Sequence, residues 1–123
     1  MKQRLTPKEE ELMQVLWRLQ KAFVKEIVAE LPEPRPHYNT VSTIVRKMVD
    51  KGFVGYESFG NTHRYYPLVP KKEYTENFMQ KALRNYFDNS YKNMVSFFAK
   101  EQKISVDELR EIIALIENQK QEK

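Results

Sequence analysis

The chain has 123 residues, a net charge of +4 and no cysteine, which allows roughly one domain with one modest core. The missing thiol excludes disulfides, thiolate catalysis and cysteine-based zinc or copper sites. The mild positive charge permits a polyanionic partner without specifying one. Met1 to Pro7 lead into no continuous apolar run, so neither a signal peptide nor a membrane span is expected, and the cytoplasm is the expected compartment.

Thr6-Pro7-Lys8-Glu9 places a capping side chain, a proline at the first helical position and a glutamate three residues after the cap, the signature of a capping box. Leu12, Val15, Leu16 and Leu19 follow as an apolar stripe widened by Met13 and Trp17, predicting a helix from about Pro7 to Gln20 with Trp17 in the core. Phe23 to Leu31 repeats the pattern over a shorter span, with Val24, Ile27, Val28 and Leu31 on one face. Pro32, Pro34 and Pro36 then make residues 32–37 a stiff turn, because proline lacks the N–H a helix needs and drives the preceding residue toward extended geometry.

The stretch from Tyr38 to Leu68 organises the rest. Val41, Ile44, Val45 and Met48 recur at helical spacing, and Lys51-Gly52 supplies a C-terminal stop. The opposite face carries Asn39, Ser42, Thr43, Arg46 and Lys47, small hydrogen-bonding groups beside cations that can reach base edges and phosphates. Two extended runs, Phe53 to Ser58 and Thr62 to Leu68, are split by Phe59-Gly60-Asn61, a hairpin pattern. Helix, short turn, helix and hairpin in that order predict a winged helix-turn-helix, mainly α with a small β-hairpin.

Asn39 and Arg46 are the candidates for base contacts. Thr40, Ser42 and Thr43 can meet bases or phosphates, and Lys47 suits phosphate; Thr40 alternatively caps the helix. Arg35 and His37 in the preceding turn are candidate phosphate clamps, and His63 with Arg64 would bring the wing to the backbone or minor groove. For Arg35 and His37 the competing reading is a solvated turn, and for His63 a surface strand residue. Tyr56, Phe59, Tyr65 and Tyr66 also suggest stacking platforms for single strands, against which the helix-turn-helix order argues.

Beyond Pro70 no strand signal remains, and Glu73 to Ala99 reads as one long helix. Its apolar positions include Tyr74, Phe78, Ala82, Tyr86 and Phe87, then Tyr91, Met94, Val95 and Phe98. Ser105 with Glu108 forms a second capping box, opening a last helix with Leu109, Ile112, Ile113 and Ile116 on one face and a polar, fraying end from Glu117. Two amphipathic helices with too little chain for a core of their own are expected to pair with a second copy. The expected organisation is a winged-helix domain at 1–70 and a helical dimerisation region at 71–123, with double-stranded operator DNA and a second copy of the chain as partners.

Enzyme chemistry finds no support. His37 and His63 have no acidic residue at ligand spacing, Gly52, Gly55 and Gly60 form no phosphate cradle, and no nucleophile, base and orienting group assemble. Neither a cofactor nor a small-molecule substrate is expected. The alternative to a DNA-binding repressor is a winged-helix module that binds protein through the same helix and hairpin.

Several stretches resemble the BlaI/MecI family of repressors, which control β-lactamase and methicillin-resistance genes. They are Leu5-Thr6, Glu11-Leu12-Met13, Val15-Leu16-Trp17, Val24 to Val28, Tyr38 to Gly52, Arg64 to Val69 and Ser105 to Leu109. Their order and spacing span nearly the whole chain. The resemblance implies a homodimeric repressor on a palindromic operator, released when a membrane-bound sensor protease cuts the dimerisation region. The matching scissile bond is Phe97–Phe98, where the best-known members carry asparagine before phenylalanine. Copper-responsive relatives carry cysteines near the carboxy-terminus, which this chain lacks.

Overall fold

A computed structural model describes residues 4–121. Its elements in order are α1 (Pro7–Leu19), β1 (Ala22–Phe23), α2 (Val24–Glu30), α3 (Tyr38–Asp50), β2 (Val54–Phe59), β3 (Thr62–Pro67), α4 (Lys71–Tyr86), α5 (Tyr91–Lys100) and α6 (Val106–Gln121). The chain divides into two compact units, the first ending at Thr75 and the second beginning at Glu76. The architecture is mainly helical with one small sheet.

In the first unit three helices and the sheet close on a shared core. Leu12, Met13, Val15 and Leu16 of α1 meet Ile27 of α2, Val41, Val45 and Met48 of α3, and Phe53, Val54, Tyr65 and Val69 around the sheet. Each such side chain contributes about 1.5–3 kcal/mol by leaving water. Trp17 is only partly buried; it packs on this core and donates its indole N–H to the Val69 carbonyl at 2.9 Å. Tyr74, in the first turn of α4, lies 5.4 Å from the Trp17 ring and donates its hydroxyl to Glu10 at 2.9 Å. Burial, then that bond to Glu10, pushes the Tyr74 phenol up to about 12.

Helix ends follow local chemistry. At α1 the Thr6 hydroxyl accepts from the Glu9 N–H at 3.2 Å, and the Glu9 carboxylate accepts from the Thr6 N–H at 2.7 Å. Helix α3 ends in a Schellman turn. Gly52 sits at φ 86°, its N–H reaches the Val49 carbonyl at 3.0 Å, and the Phe53 N–H reaches Met48 at 3.1 Å. Phe53 and Met48 are both buried, so the turn also closes an apolar contact that feeds the chain into β2.

The sheet has three strands in the order β1-β3-β2, both pairs antiparallel. The expected two-stranded hairpin therefore gains a third strand. Ala22 and Phe23 pair with Tyr65 and Arg64, but two residues carry no alternation that a sequence reading can use. Because β3 is central, Pro67 lies at its end beyond the two residues that β1 covers. Gly60 turns the hairpin at φ 60°, the glycine-first arrangement suited to the twist of a two-residue loop. Gly55 faces the Tyr66 ring so closely that a Cβ there would lie 2.9 Å from it.

The second unit differs from the single long helix read over Glu73 to Ala99. Helix α4 stops at Tyr86, and Asp88 and Asn89 take positive φ of 52° and 60°. Their short polar side chains tolerate this conformation better than most. The Ser90 hydroxyl then accepts from the Asn93 N–H at 3.1 Å and caps α5. The Ser105 capping box forms, with bonds of 2.9 and 3.0 Å. Helix α6 runs on to Gln121 instead of fraying from Glu117.

Candidate nucleic-acid interface

Helix α3 is held from behind by Val41, Val45 and Met48, each fully buried. Two rows of its other positions are spaced four residues apart, the ridges of an α-helix. Asn39, Thr43 and Lys47 form one row and are all exposed. The Thr43 hydroxyl donates to the Asn39 carbonyl at 2.9 Å, leaving its oxygen lone pairs for an outside donor. Tyr38, Ser42 and Arg46 form the second row. Ser42 is buried there and accepts from Arg46 Nη2 at 3.0 Å.

Thr40 is exposed in the first turn of α3 and does not cap it. The cap position is His37, which makes no side-chain capping bond. Thr40 is thus a further polar group on the exposed surface, beside Asn39.

The wing has two unlike faces because side chains alternate along a strand. Tyr56 and Tyr65 are register partners, as are Ser58 and His63. On this face the His63 ring stacks on Tyr56 at 4.4 Å with the planes 8° apart. Tyr65 is buried, with its ring 6.2 Å from that of Tyr56 and 6.0 Å from that of His63. Burial holds the Tyr65 phenol above its ordinary range, opposed by the positive charge of Arg46.

The other wing face carries Glu57, Phe59 and Arg64. Glu57 pairs with Lys21 at 3.3 Å and with Arg64 at 3.4 Å, and the Arg64 guanidinium sits 5.0 Å from the Phe59 ring centre. His63 and Arg64, read together from the sequence, therefore occupy opposite faces.

The same pairing sorts the cations of the stretch. Arg35 is engaged by Glu33 at 2.9 Å and by the Leu31 carbonyl at 3.3 Å. Lys51 is drawn inward, with its Nζ 2.6 Å from the buried Glu9 carboxylate and 3.0 Å from the Arg4 carbonyl. Burial pushes the Glu9 carboxyl up, but Lys51 together with the Thr6 donors outweighs it and holds Glu9 below its usual range. Arg46 and Lys47 have no carboxylate partner among the described residues. Uncompensated positive charge is thereby concentrated on α3. A sequence reading counts five cations alike, because their partners are distant or lie on neighbouring strands.

In the second unit Phe78, Tyr86, Tyr91, Val95, Phe97, Phe98, Ile112, Ile113 and Ile116 are exposed, while Phe87, Met94 and Leu109 are partly covered. Phe87 and Phe97 meet edge-on at 5.7 Å, and Phe97 and Phe98 at 5.4 Å. The Phe97–Phe98 bond lies inside α5. No group of acidic and histidine side chains able to hold a metal occurs among the described residues, nor any helix long and apolar enough to cross a membrane.

Three helices, a proline-bounded turn and a three-stranded wing define a winged helix-turn-helix protein with a helical carboxy-terminal region. The penicillinase repressor family model matches residues 5–118, and the chain belongs to that family. It is 23% identical to the penicillinase repressor of Bacillus licheniformis over 94% of this chain and 91% of that one. It is 21% identical to the methicillin resistance regulatory protein MecI of Staphylococcus aureus, over 85% of each chain. The solution structure of the DNA-binding domain of the repressor BlaI matches 60% of this chain and 94% of that domain, with a TM-score of 0.51 and 23% identity, a likeness of fold.

Proposed function

We propose that the protein is a sequence-specific transcriptional repressor that binds double-stranded DNA as a homodimer on a palindromic operator. The observation that carries this reading is the exposed face of α3. Asn39, Thr40, Thr43 and Lys47 project from a helix locked by its core face, beside Arg46, and neither cation is neutralised within the fold. Membership of a repressor family supports the same assignment. Asn39 and Arg46 read bases, Thr40, Ser42 and Thr43 position or read, and Lys47 holds phosphate. Arg35, His37, His63 and Arg64 border the duplex, with Arg35 and Arg64 giving up their internal carboxylates to do so.

Residues 1–70 are the DNA-binding domain and residues 71–123 the dimerisation region. The exposed aromatic and aliphatic side chains of α4, α5 and α6 are covered by the same helices of a second copy. Release follows proteolysis at Phe97–Phe98 by a membrane-bound sensor protease. Because this bond lies within α5, the helix must open locally before a protease can take it.

Selection from a random duplex library with the full chain tests the assignment. An enriched inverted repeat, bound with steep salt dependence, is expected. An unenriched pool from folded, dimeric protein overturns DNA reading and favours a protein-binding winged helix. For release, a single early cut within α5 is expected when the sensor protease is active, and an intact chain leaving its operator overturns that step.

A further inference from the structure

Two adjacent wing residues have unlike surroundings. Arg64 is committed within the fold. Its guanidinium pairs with Glu57 at 3.4 Å and sits 5.0 Å from the Phe59 ring centre, and its Nε is buried without an acceptor. His63, on the opposite face, makes no hydrogen bond or ion pair among the described residues. Among those residues Arg64 Nε is the one buried side-chain nitrogen or oxygen left without a partner. Both imidazole nitrogens of His63 therefore open to solvent.

What holds His63 is aromatic surface. Its strand partner is Ser58, while Tyr56 pairs with Tyr65, so His63 and Tyr56 are diagonal neighbours on one sheet face, within reach of each other's rings. The two rings stack at 4.4 Å with their planes 8° apart, and the buried Tyr65 ring lies 6.0 Å from the imidazole at 45°. Stacking fixes the plane of the imidazole and leaves its nitrogen-bearing edge unblocked. This is also the sheet face that enters the core beside α3, because Tyr65 belongs to the cluster that includes Val41, Val45 and Met48. A duplex seated on α3 meets that side of the wing.

An imidazole donates an N–H whether neutral or charged, and phosphate oxygens are acceptors that a protein uses to set its register on a duplex. A side chain that must be ordered on contact loses rotamer entropy at that moment. For His63 the Tyr56 ring has imposed part of that order in the unbound protein.

We propose that His63 donates to one backbone phosphate in each half-site, and that Tyr56 is the positioning residue that holds its ring for this contact. This rests on the DNA-reading function proposed above. The wing thereby fixes the seating of α3 on the duplex, and base discrimination stays with the helix.

The test uses the full chain and the most enriched duplex from the library selection. Each phosphate is replaced in turn by methylphosphonate, which lacks the charge and one acceptor oxygen. Wild type is expected to lose about five- to tenfold in affinity at one phosphate per half-site that His63→Ala no longer senses. Tyr56→Leu removes the stacking ring and is expected to shrink that loss to about twofold. Tyr56→Phe keeps the ring and is expected to behave as wild type. In the His63→Ala background Tyr56→Leu has no further effect beyond about twofold, because the group it orients is gone. In the unbound protein the His63 ring protons carry the ring-current shift of a stacked aromatic, which Tyr56→Phe retains and Tyr56→Leu loses.

Tyr56 is 46% exposed, so neither replacement empties the core, and thermal midpoints check that the fold persists. An enriched operator on which His63→Ala senses every phosphate as wild type does overturns this inference alone. So does a Tyr56→Phe variant that behaves like Tyr56→Leu, which assigns the contact to the tyrosine hydroxyl, or a Tyr56→Leu effect that is equally large without His63. A library that yields no enriched sequence overturns DNA reading itself, and this inference with it.

Discussion

The two units of this protein use apolar residues in opposite ways. Up to Thr75 the large aliphatic side chains turn inward around Met13, Leu16, Ile27 and Met48, and the exposed helix face is polar. From Glu76 onward Leu83 is buried, while Phe78, Tyr86, Tyr91, Phe97 and most of the α6 stripe stay exposed. The first unit satisfies its own hydrophobic surface and is free to present hydrogen-bonding groups. The second is amphipathic helix without enough chain to cover itself, so its surface calls for another protein.

The largest expected effect tests that division. Ile113→Glu combined with Ile116→Glu places charge on the exposed stripe of α6. Sedimentation is expected to show monomers, and operator affinity to fall roughly 100-fold or more as the two winged helices cease to bind as one unit. The thermal transition of the first unit should not move. A persistent dimer would place the interface elsewhere.

Next comes Glu9→Gln, which removes the charge that Lys51 faces. Denaturant unfolding is expected to show a loss of roughly 1.5–3 kcal/mol, since a charge-assisted bond disappears and a lysine is left without its carboxylate. The folded Glu9 value lies below its ordinary 4.5. Its contribution is therefore complete above that value and is lost as pH falls through the lower folded value. The gap between wild type and variant should close on acidification below about pH 4.5, and a gap independent of pH would remove Glu9 from the first unit's acid sensitivity.

A smaller change separates helix formation from burial in the second unit. Ser105→Ala deletes the hydroxyl of the α6 capping box and is expected to cost about 1 kcal/mol, read by helicity and thermal unfolding. An unchanged α6 would mean that packing alone holds it. Lys47→Ala sharpens the polar side of the comparison with the least effect. It should weaken binding to all duplexes alike and lower the salt slope by about one. Altered base preference would instead move Lys47 into the reading set.

Much of this fold is written in short-range pattern. Thr6 with Glu9 and Ser105 with Glu108 form the capping boxes their spacing implies. The apolar periods of α1, α2 and α3 place those helices within a residue or two of expectation, and Gly52 ends α3 because only a residue at positive φ completes that turn cheaply. Sequence also identified Tyr38 to Gly52 as the helix that presents polar groups outward.

Tertiary structure decided what depends on residues far apart in the chain. Ala22-Phe23 becomes a strand only because β3 offers it a partner. The break at Asp88-Asn89 uses polar residues at positive φ where no glycine or proline marks it. Lys51 is withdrawn from the basic surface by Glu9, 42 positions away, and Arg64 by its cross-strand partner Glu57. The buried Tyr65 phenol comes under the positive charge of Arg46 only when the wing folds against α3. Periodicity and capping are local energies that a chain states in order, whereas the pairing of charges and the neighbours of a guanidinium exist only once distant segments share a surface.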